Sequence, residues 1–306
     1  MFPSFLSMED KRLTEQRNPR SSSIDLLSPL EITDLINAED RTVADAVGRE
    51  REAIARAMEL AVDAFRTGGR LIYVGAGTSG RLGVLDSAEM PPTFGTDPEM
   101  VRGVIAGGYA ALVTAQEGAE DSLESGAEAL KELGVDTRDF VLGIATSGTT
   151  PFVHGALSYA RGQKARTGLL LCTHPETDHY RSHDVVIAPL VGPEIITGST
   201  RMKAGTATKM VLNTITTGAM VRLGKVFGNL MVDLQVTCAK LQDRGERILM
   251  ATLGVDREKG KDLLERAGGR VKVAIVMGKL EVGKEEAEKL LNEARGQVAR
   301  VVGDLT

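Results

Sequence analysis

The chain has 306 residues, 42% hydrophobic and 26% charged, which suits a folded protein with a sizeable core, organised as one large domain and a smaller one. A net charge of −5 without a basic stripe argues against nucleic acid as a partner. No run approaches the roughly 18 apolar residues of a membrane span, and the polar, charged stretch after Leu6 is no signal peptide, so a cytoplasmic protein without a membrane partner is expected.

Residues 1–23 read as an arm with little structure of its own. Ser28-Pro-Leu-Glu31 then starts a helix: Ser28 caps, Pro29 suits the first turn and Glu31 completes a capping box. A longer helix over 42–67 follows, with Val43, Val47, Ile54, Met58, Ala61 and Phe65 at helical spacing and Gly68-Gly69 as its stop. Five short apolar runs come next, at 70–74, 101–106, 139–145, 167–172 and 184–188. Helical stretches at 79–89, 109–132 and 150–162 fall between most of them. Strands apolar on both faces, alternating with helices, predict an α/β fold: a parallel sheet of about five strands flanked by helices. In such sheets ligands bind beyond the C-terminal strand ends. After Pro193 a polar loop precedes helices over 206–224 and 231–252. Amphipathic stretches at 256–267 and 284–302, with the apolar 271–280 between them, complete a small C-terminal helical subdomain. Cys172 and Cys238 lie in apolar contexts and read as buried free thiols of a reducing compartment.

The residues that could carry chemistry cluster at the strand ends. In Leu71-Ile-Tyr-Val-Gly-Ala-Gly-Thr-Ser-Gly-Arg-Leu-Gly83, a buried strand runs into a glycine turn and a helix start. Gly77 and Gly80 allow close approach of a ligand, Thr78 and Ser79 offer hydroxyls, and the helix offers free N–H groups with the positive end of its dipole. The letters also fit a dinucleotide fingerprint, but the next strand ends in Gly107-Gly108 where a ribose-binding acid belongs. A phosphate monoester therefore suits the loop better; a purely structural turn is the alternative. Thr146-Ser-Gly-Thr-Thr-Pro151 is a second hydroxyl cluster at a helix start, in which Ser147, Gly148, Thr149 and Thr150 either cap the helix or share a phosphate with the first loop. Glu89, in Ser87-Ala-Glu-Met-Pro-Pro92, is placed where two prolines end the helix of the first loop. Glu117, Glu120 and Asp121 are expected on one helical face, either as acid/base candidates or as a solvated acidic surface. Ser199, Arg201 and Lys203 stand in the polar loop, where the two cations neutralise an anionic ligand or make surface salt bridges. His179 and His183 have helical spacing but no third ligand, and no serine occupies a nucleophile elbow. The residues call for neither a metal nor another cofactor.

Taken together, these stretches resemble the N-acetylmuramic acid 6-phosphate etherase family, within the sugar isomerase (SIS) superfamily. The resemblance covers nearly the whole chain. It rests on Thr14-Glu-Gln-Arg-Asn18, Ile36-Asn-Ala-Glu-Asp40, the glycine loop, Ser87-Ala-Glu-Met-Pro-Pro-Thr93 and Glu117-Gly-Ala-Glu-Asp-Ser122. It extends through Thr197-Gly-Ser-Thr-Arg-Met-Lys-Ala-Gly-Thr206 and Lys225-Val-Phe-Gly-Asn-Leu-Met-Val-Asp233. The resemblance implies an N-terminal arm with helices over 1–60, a sugar-phosphate-binding SIS domain over 61–224, and a ubiquitin-associated-like helical subdomain over 225–306. It also implies a homodimer with sites near the subunit interface. The implied activity removes D-lactate from a sugar phosphate by elimination and rehydration. Glu89 matches the proton donor to the lactate oxygen, and Glu120 the second acid/base group. One position departs: many members of the family carry Ser-Gly-Arg-Thr-Pro where this chain has Ser147-Gly-Thr-Thr-Pro151, so that Thr149 replaces an arginine. An aldose–ketose isomerase on the same scaffold, and a non-catalytic sugar-phosphate sensor, remain the alternatives.

Overall fold

A computed structural model describes residues 11–233 and 239–305. They form two compact units. One comprises the chain up to Ser87 together with Glu99–Ile215; the other comprises Ala88–Pro98 together with the chain from Thr216 onward.

The first unit begins with three 3-10 turns, Leu13–Glu15, Pro19–Ser21 and Ile24–Leu26. The described part of the arm is thus more ordered than its composition suggests. The reason is polar pairing with distant backbone. Leu13 N–H donates to Thr173 Oγ1 at 3.0 Å, Gly198 N–H to the Thr14 carbonyl at 3.2 Å, and Ser21 Oγ to the Ile195 carbonyl at 2.6 Å. Thr14, Asn18 and Ser21 are buried in consequence. Helix α1 (Pro29–Arg49) starts on the expected capping box, with Ser28 N–H donating to Glu31 Oε2 at 2.8 Å. It meets α2 (Arg51–Arg66) at Glu50, whose carboxylate accepts from Ala188 N–H at 2.9 Å.

Strands β1 (Leu71–Gly75), β2 (Val101–Ile105), β3 (Phe140–Ile144), β4 (Arg166–Leu170) and β5 (Val185–Ile187) form one parallel sheet in the order β2-β1-β3-β4-β5. Every residue of β1 and β3 is buried, as their apolar sequences require. The connections are α3 (Gly77–Phe94), α4 (Ala110–Val113), α5 (Leu123–Glu132), α6 (Pro151–Gly162) and α7 (Thr177–Ser182). Ile72, Val74, Val141, Leu169, Phe152 and Leu157 belong to the core on one face. Helix α8 (Lys203–Arg222) follows the polar loop. Cys172 is buried, and burial pushes its thiol up to about 12; Cys238 lies outside the described residues.

Two sequence expectations are corrected here. Pro91 and Pro92 do not end the helix after β1; α3 continues through them to Phe94, and beyond them Gly95 N–H donates to the Pro91 carbonyl at 2.9 Å. A proline removes its own donor but leaves its carbonyl free to accept. The 109–132 stretch is two helices, because Gly118 turns with a φ of 72° and Ser122 caps α5 through Ser125 N–H at 3.0 Å.

The second unit contains a hairpin, β6 (Val226–Phe227) and β7 (Leu230–Met231), and helices α9 (Ala239–Leu253), α10 (Arg257–Arg266), α11 (Val271–Leu280), α12 (Lys284–Glu293) and α13 (Val298–Val302). The helix expected over 231–252 therefore begins later, after the hairpin. That over 284–302 is divided at Arg295 and Gly296, both at positive φ. The apolar α11 is the centre of this bundle, with Val273, Ile275 and Val276 buried among Leu249, Leu263 and Leu291.

Helices α5 and α6 touch backbone to backbone. A Cβ built on Gly126 would lie 1.9 Å from the Phe152 carbonyl oxygen, and one on Gly155 would lie 1.9 Å from that of Leu123. Gly155→Ala is expected to cost about 2 kcal/mol or more by overpacking and to lower Tm by about 5 °C or more in a thermal melt. Gly162→Ala on the same helix has open space and should leave Tm unchanged or raised. Equal melting of Gly155→Ala and the unsubstituted chain would contradict the packing described.

Candidate active site

The sheet divides its connections between β1 and β3. The chain leaves β1 through α3 for β2 on one side, and leaves β3 through α6 for β4 on the other. Because Gly75 is paired in register with Ile144, the loops after the two strands emerge side by side. A crevice follows at such a switch point. Here it is a cavity of about 530 Å³.

The first glycine loop forms one wall. Ala76, Gly77, Thr78 and Ser79 line the cavity at the N-terminus of α3, with Gly77 at a φ of 51°. Gly80 is buried and does not line it; a Cβ there would lie 2.5 Å from Ile105, so its smallness seats α3 on β2. The second hydroxyl loop forms the facing wall with Thr146, Ser147, Thr149, Thr150 and Pro151. Gly148, at a φ of 80°, lies behind this wall. Its carbonyl is hydrogen-bonded to His154 Nε2 at 2.8 Å, and its N–H donates to the Ala145 carbonyl at 2.7 Å. Ser147 Oγ and Thr149 Oγ1 are 3.1 Å apart. Two helix N-termini and six hydroxyl residues of the two loops thus border one space, an arrangement able to hold an anion.

Carboxylates face the same space. Glu120 and Asp121 line it from the turn between α4 and α5, not from a helical face. Phe152 N–H, in the first turn of α6, donates to the Glu120 carbonyl at 3.0 Å, which ties the acidic turn to the hydroxyl loop. A second recess of about 320 Å³ shares Ala76, Gly77 and Glu120 and continues along Arg81, Gln116 and Glu117. Glu120 therefore borders both spaces. Glu89 is exposed on α3 and belongs to the second unit, whereas the lining residues of the cavity belong to the first.

The polar loop contributes Gly198 and Thr200, but not the three side chains expected from it. Ser199 and Arg201 flank Thr200 outside the lining, Arg201 being exposed. The anion that Lys203 meets is internal. Its ammonium is buried 2.6 Å from Glu39 Oε2, and Asn18 and Arg20 donate to the same carboxylate at 2.9 and 2.7 Å. Burial opposes ionisation of Glu39, but Lys203, Asn18 and Arg20 outweigh it and hold the carboxyl below its ordinary range. Glu194 accepts from Lys203 and Ala204 N–H at 3.1 and 2.9 Å, capping α8, while burial pushes its own carboxyl up. Sequence reasoning also missed Arg12 and Glu15, which line the cavity from the arm. The motif Thr14-Glu-Gln-Arg-Asn18 was the available signal, but nothing local to it reveals the distant backbone that fixes it.

The chain resembles known proteins along almost its whole length. Residues 53–161 match the glucokinase regulatory protein N-terminal SIS domain. An N-acetylmuramic acid 6-phosphate etherase of Salinibacter ruber is 54% identical over 93% of this chain and 92% of its own. Etherases of that name from Synechococcus elongatus and Lactobacillus johnsonii are 53% and 50% identical, over 99% and 95% of this chain and 98% and 97% of theirs. Among solved structures, phosphoheptose isomerase GmhA of Neisseria gonorrhoeae aligns with 63% of this chain and 98% of its own, at 18% identity and a TM-score of 0.48. With half its residues shared along essentially the full length of these relatives, the chain belongs to the N-acetylmuramic acid 6-phosphate etherase family.

Proposed function

We infer that the protein cleaves the D-lactyl ether of N-acetylmuramic acid 6-phosphate, giving N-acetylglucosamine 6-phosphate and D-lactate, as a carbon–oxygen lyase of cell-wall amino-sugar catabolism. The observation that carries this reading is the cavity at the β1/β3 switch, where an anion cradle and Glu120 occupy one space, in a chain half identical to proteins of that name.

In this reading the phosphate lies between the N-termini of α3 and α6, against Thr78, Ser79, Ser147, Thr149 and Thr150. Anchoring there holds the open-chain sugar for reaction. In the open form C1 is an aldehyde, which acidifies the proton on C2. Glu120, on the rim of the cradle, removes that proton. The bond from C3 to the lactyl oxygen then breaks as an acid protonates the departing oxygen, leaving a 2,3-unsaturated aldehyde and free lactate. Water adds to C3, a proton returns to C2, and the atoms balance without an oxidant or a metal.

Glu89 is the proposed acid. We also propose a homodimer, as the family resemblance implies, in which the acid of one protomer serves the cavity of its partner.

The unsubstituted chain should release lactate from N-acetylmuramic acid 6-phosphate in a coupled lactate dehydrogenase assay. No lactate at high enzyme concentration would overturn the reading, and sugar isomerisation without lactate would favour an aldose–ketose isomerase. Glu89→Gln and Glu120→Gln should each lower turnover by about 10²–10⁴ while N-acetylglucosamine 6-phosphate still binds. Loss of binding as large as the loss of rate would assign them structural roles.

Mixing the two variants tests the shared site. In a random two-fold dimer, half of the molecules would combine one Glu89→Gln and one Glu120→Gln protomer, each regaining one intact site, so roughly a quarter of full activity should return on co-expression. No recovery would place both groups in one protomer.

A further inference from the structure

We propose that His154 is a positioning residue for the phosphate cradle: by holding the Gly148 carbonyl from behind, it turns the Thr149 N–H toward the anion. The inference rests on the cavity taking a sugar phosphate.

The peptide between Gly148 and Thr149 has two ends with different tasks. Its carbonyl oxygen lies 2.8 Å from His154 Nε2. A carbonyl only accepts, so Nε2 carries the hydrogen and donates. The peptide is trans, and in a trans peptide the N–H leaves the plane opposite to the C=O. With the carbonyl turned to His154, the Thr149 N–H is turned away from it. It donates to Ser147 Oγ at 3.4 Å, and both Ser147 and Thr149 line the cavity. That bond is long for an N–H donor to oxygen. A phosphate oxygen is a stronger acceptor than a hydroxyl, so the N–H has a better partner once the anion enters. Donation by His154 at the other end polarises the same peptide and makes this N–H a better donor.

The plane of this peptide needs such a hold. Gly148 sits at a φ of 80° and has no side chain to restrain the peptide that follows it. Its N–H is fixed on the Ala145 carbonyl at 2.7 Å, which leaves its carbonyl to His154. His154 is itself well anchored. It stands in the first turn of α6, where its backbone N–H donates to the Thr150 carbonyl at 3.2 Å. Its ring stacks on that of His179, with centroids 6.2 Å apart and planes 20° from parallel. The His179 ring is held in turn, because Nδ1 accepts from Glu176 N–H at 3.2 Å at the start of α7. The second loop is thus braced from behind by two histidines of two helices. His154 does not line the cavity and acts on the anion through the Gly148–Thr149 peptide.

Two variants test this. His154→Leu removes the donor, and His154→Gln keeps an N–H donor at a similar reach. Titration calorimetry with N-acetylglucosamine 6-phosphate measures the affinity, steady-state kinetics divide the effect between KM and kcat, and the amide resonance of Thr149 in ¹⁵N-threonine-labelled protein reports the contact itself. His154→Leu should weaken the ligand about 10-fold, with the loss falling on KM more than on kcat, and His154→Gln should recover most of it. The Thr149 amide proton should move downfield when the ligand is added to the unsubstituted chain and to His154→Gln, and much less in His154→Leu. A merely structural histidine would lower Tm without this separation of donor from non-donor. Unchanged affinity in His154→Leu would overturn the proposal, as would equal losses in both variants. If His154→Leu fails to fold, the other two proteins decide: a Thr149 amide that stays in place on adding the ligand overturns it. No binding by the unsubstituted chain would also overturn it, whereas binding without lactate release sinks the etherase reading alone.

Discussion

Two neighbouring strands that send their chains to opposite sides of a sheet open a crevice that no connection crosses. β1 and β3 are that pair, and the parallel register of Gly75 with Ile144 sets their loops at one level. The position of the cradle follows from this pairing. A slip by one residue would turn the buried side chains of β1 toward the other face of the sheet and separate Thr78 and Ser79 from Ser147 and Thr149. The glycine packing of α5 on α6 completes the arrangement, because the Glu120 turn precedes α5 and is hydrogen-bonded to the start of α6.

Charge is managed at two levels. The buried Lys203–Glu39 pair neutralises itself inside the first unit, with Asn18 and Arg20 satisfying the remaining carboxylate positions. A buried pair of this kind stabilises little by itself, but losing one partner would strand a buried charge. It therefore binds arm, α1 and the start of α8 into one arrangement. The cavity differs: among the described residues its lining includes Glu15, Glu120, Asp121 and Arg12 beside many hydroxyl residues. Such a site is suited to chemistry in which protons move and an anion remains fixed.

Much of this was legible in the sequence because it is local. The apolar runs, the Ser28 capping box and the glycine-to-helix junction each depend on neighbouring residues, and the sheet and both hydroxyl loops follow from them. What was misread depends on partners far along the chain. Lys203 looks like a ligand for an external anion until Glu39, distant in sequence, is seen to fill that role. Residues 12–21 look unstructured until their polar groups are seen to pair with the backbone at 193–198. The Glu117, Glu120 and Asp121 spacing imitates a helical face, and only the turn at Gly118 dispels it. Pro91 and Pro92 mark a disturbed helix, and α3 shows that disturbance is not termination.

The central claim is that the cavity supports elimination followed by hydration at C3, and isotopic labelling of the products tests it most directly. With N-acetylmuramic acid 6-phosphate turned over in water enriched in ¹⁸O, mass spectrometry of the products locates the cleaved bond. Cleavage between C3 and the ether oxygen leaves that oxygen in lactate. The label should therefore enter the C3 hydroxyl of N-acetylglucosamine 6-phosphate and be absent from D-lactate. Label in lactate, with none at C3, would mean that the bond on the lactyl side is broken and would contradict the account.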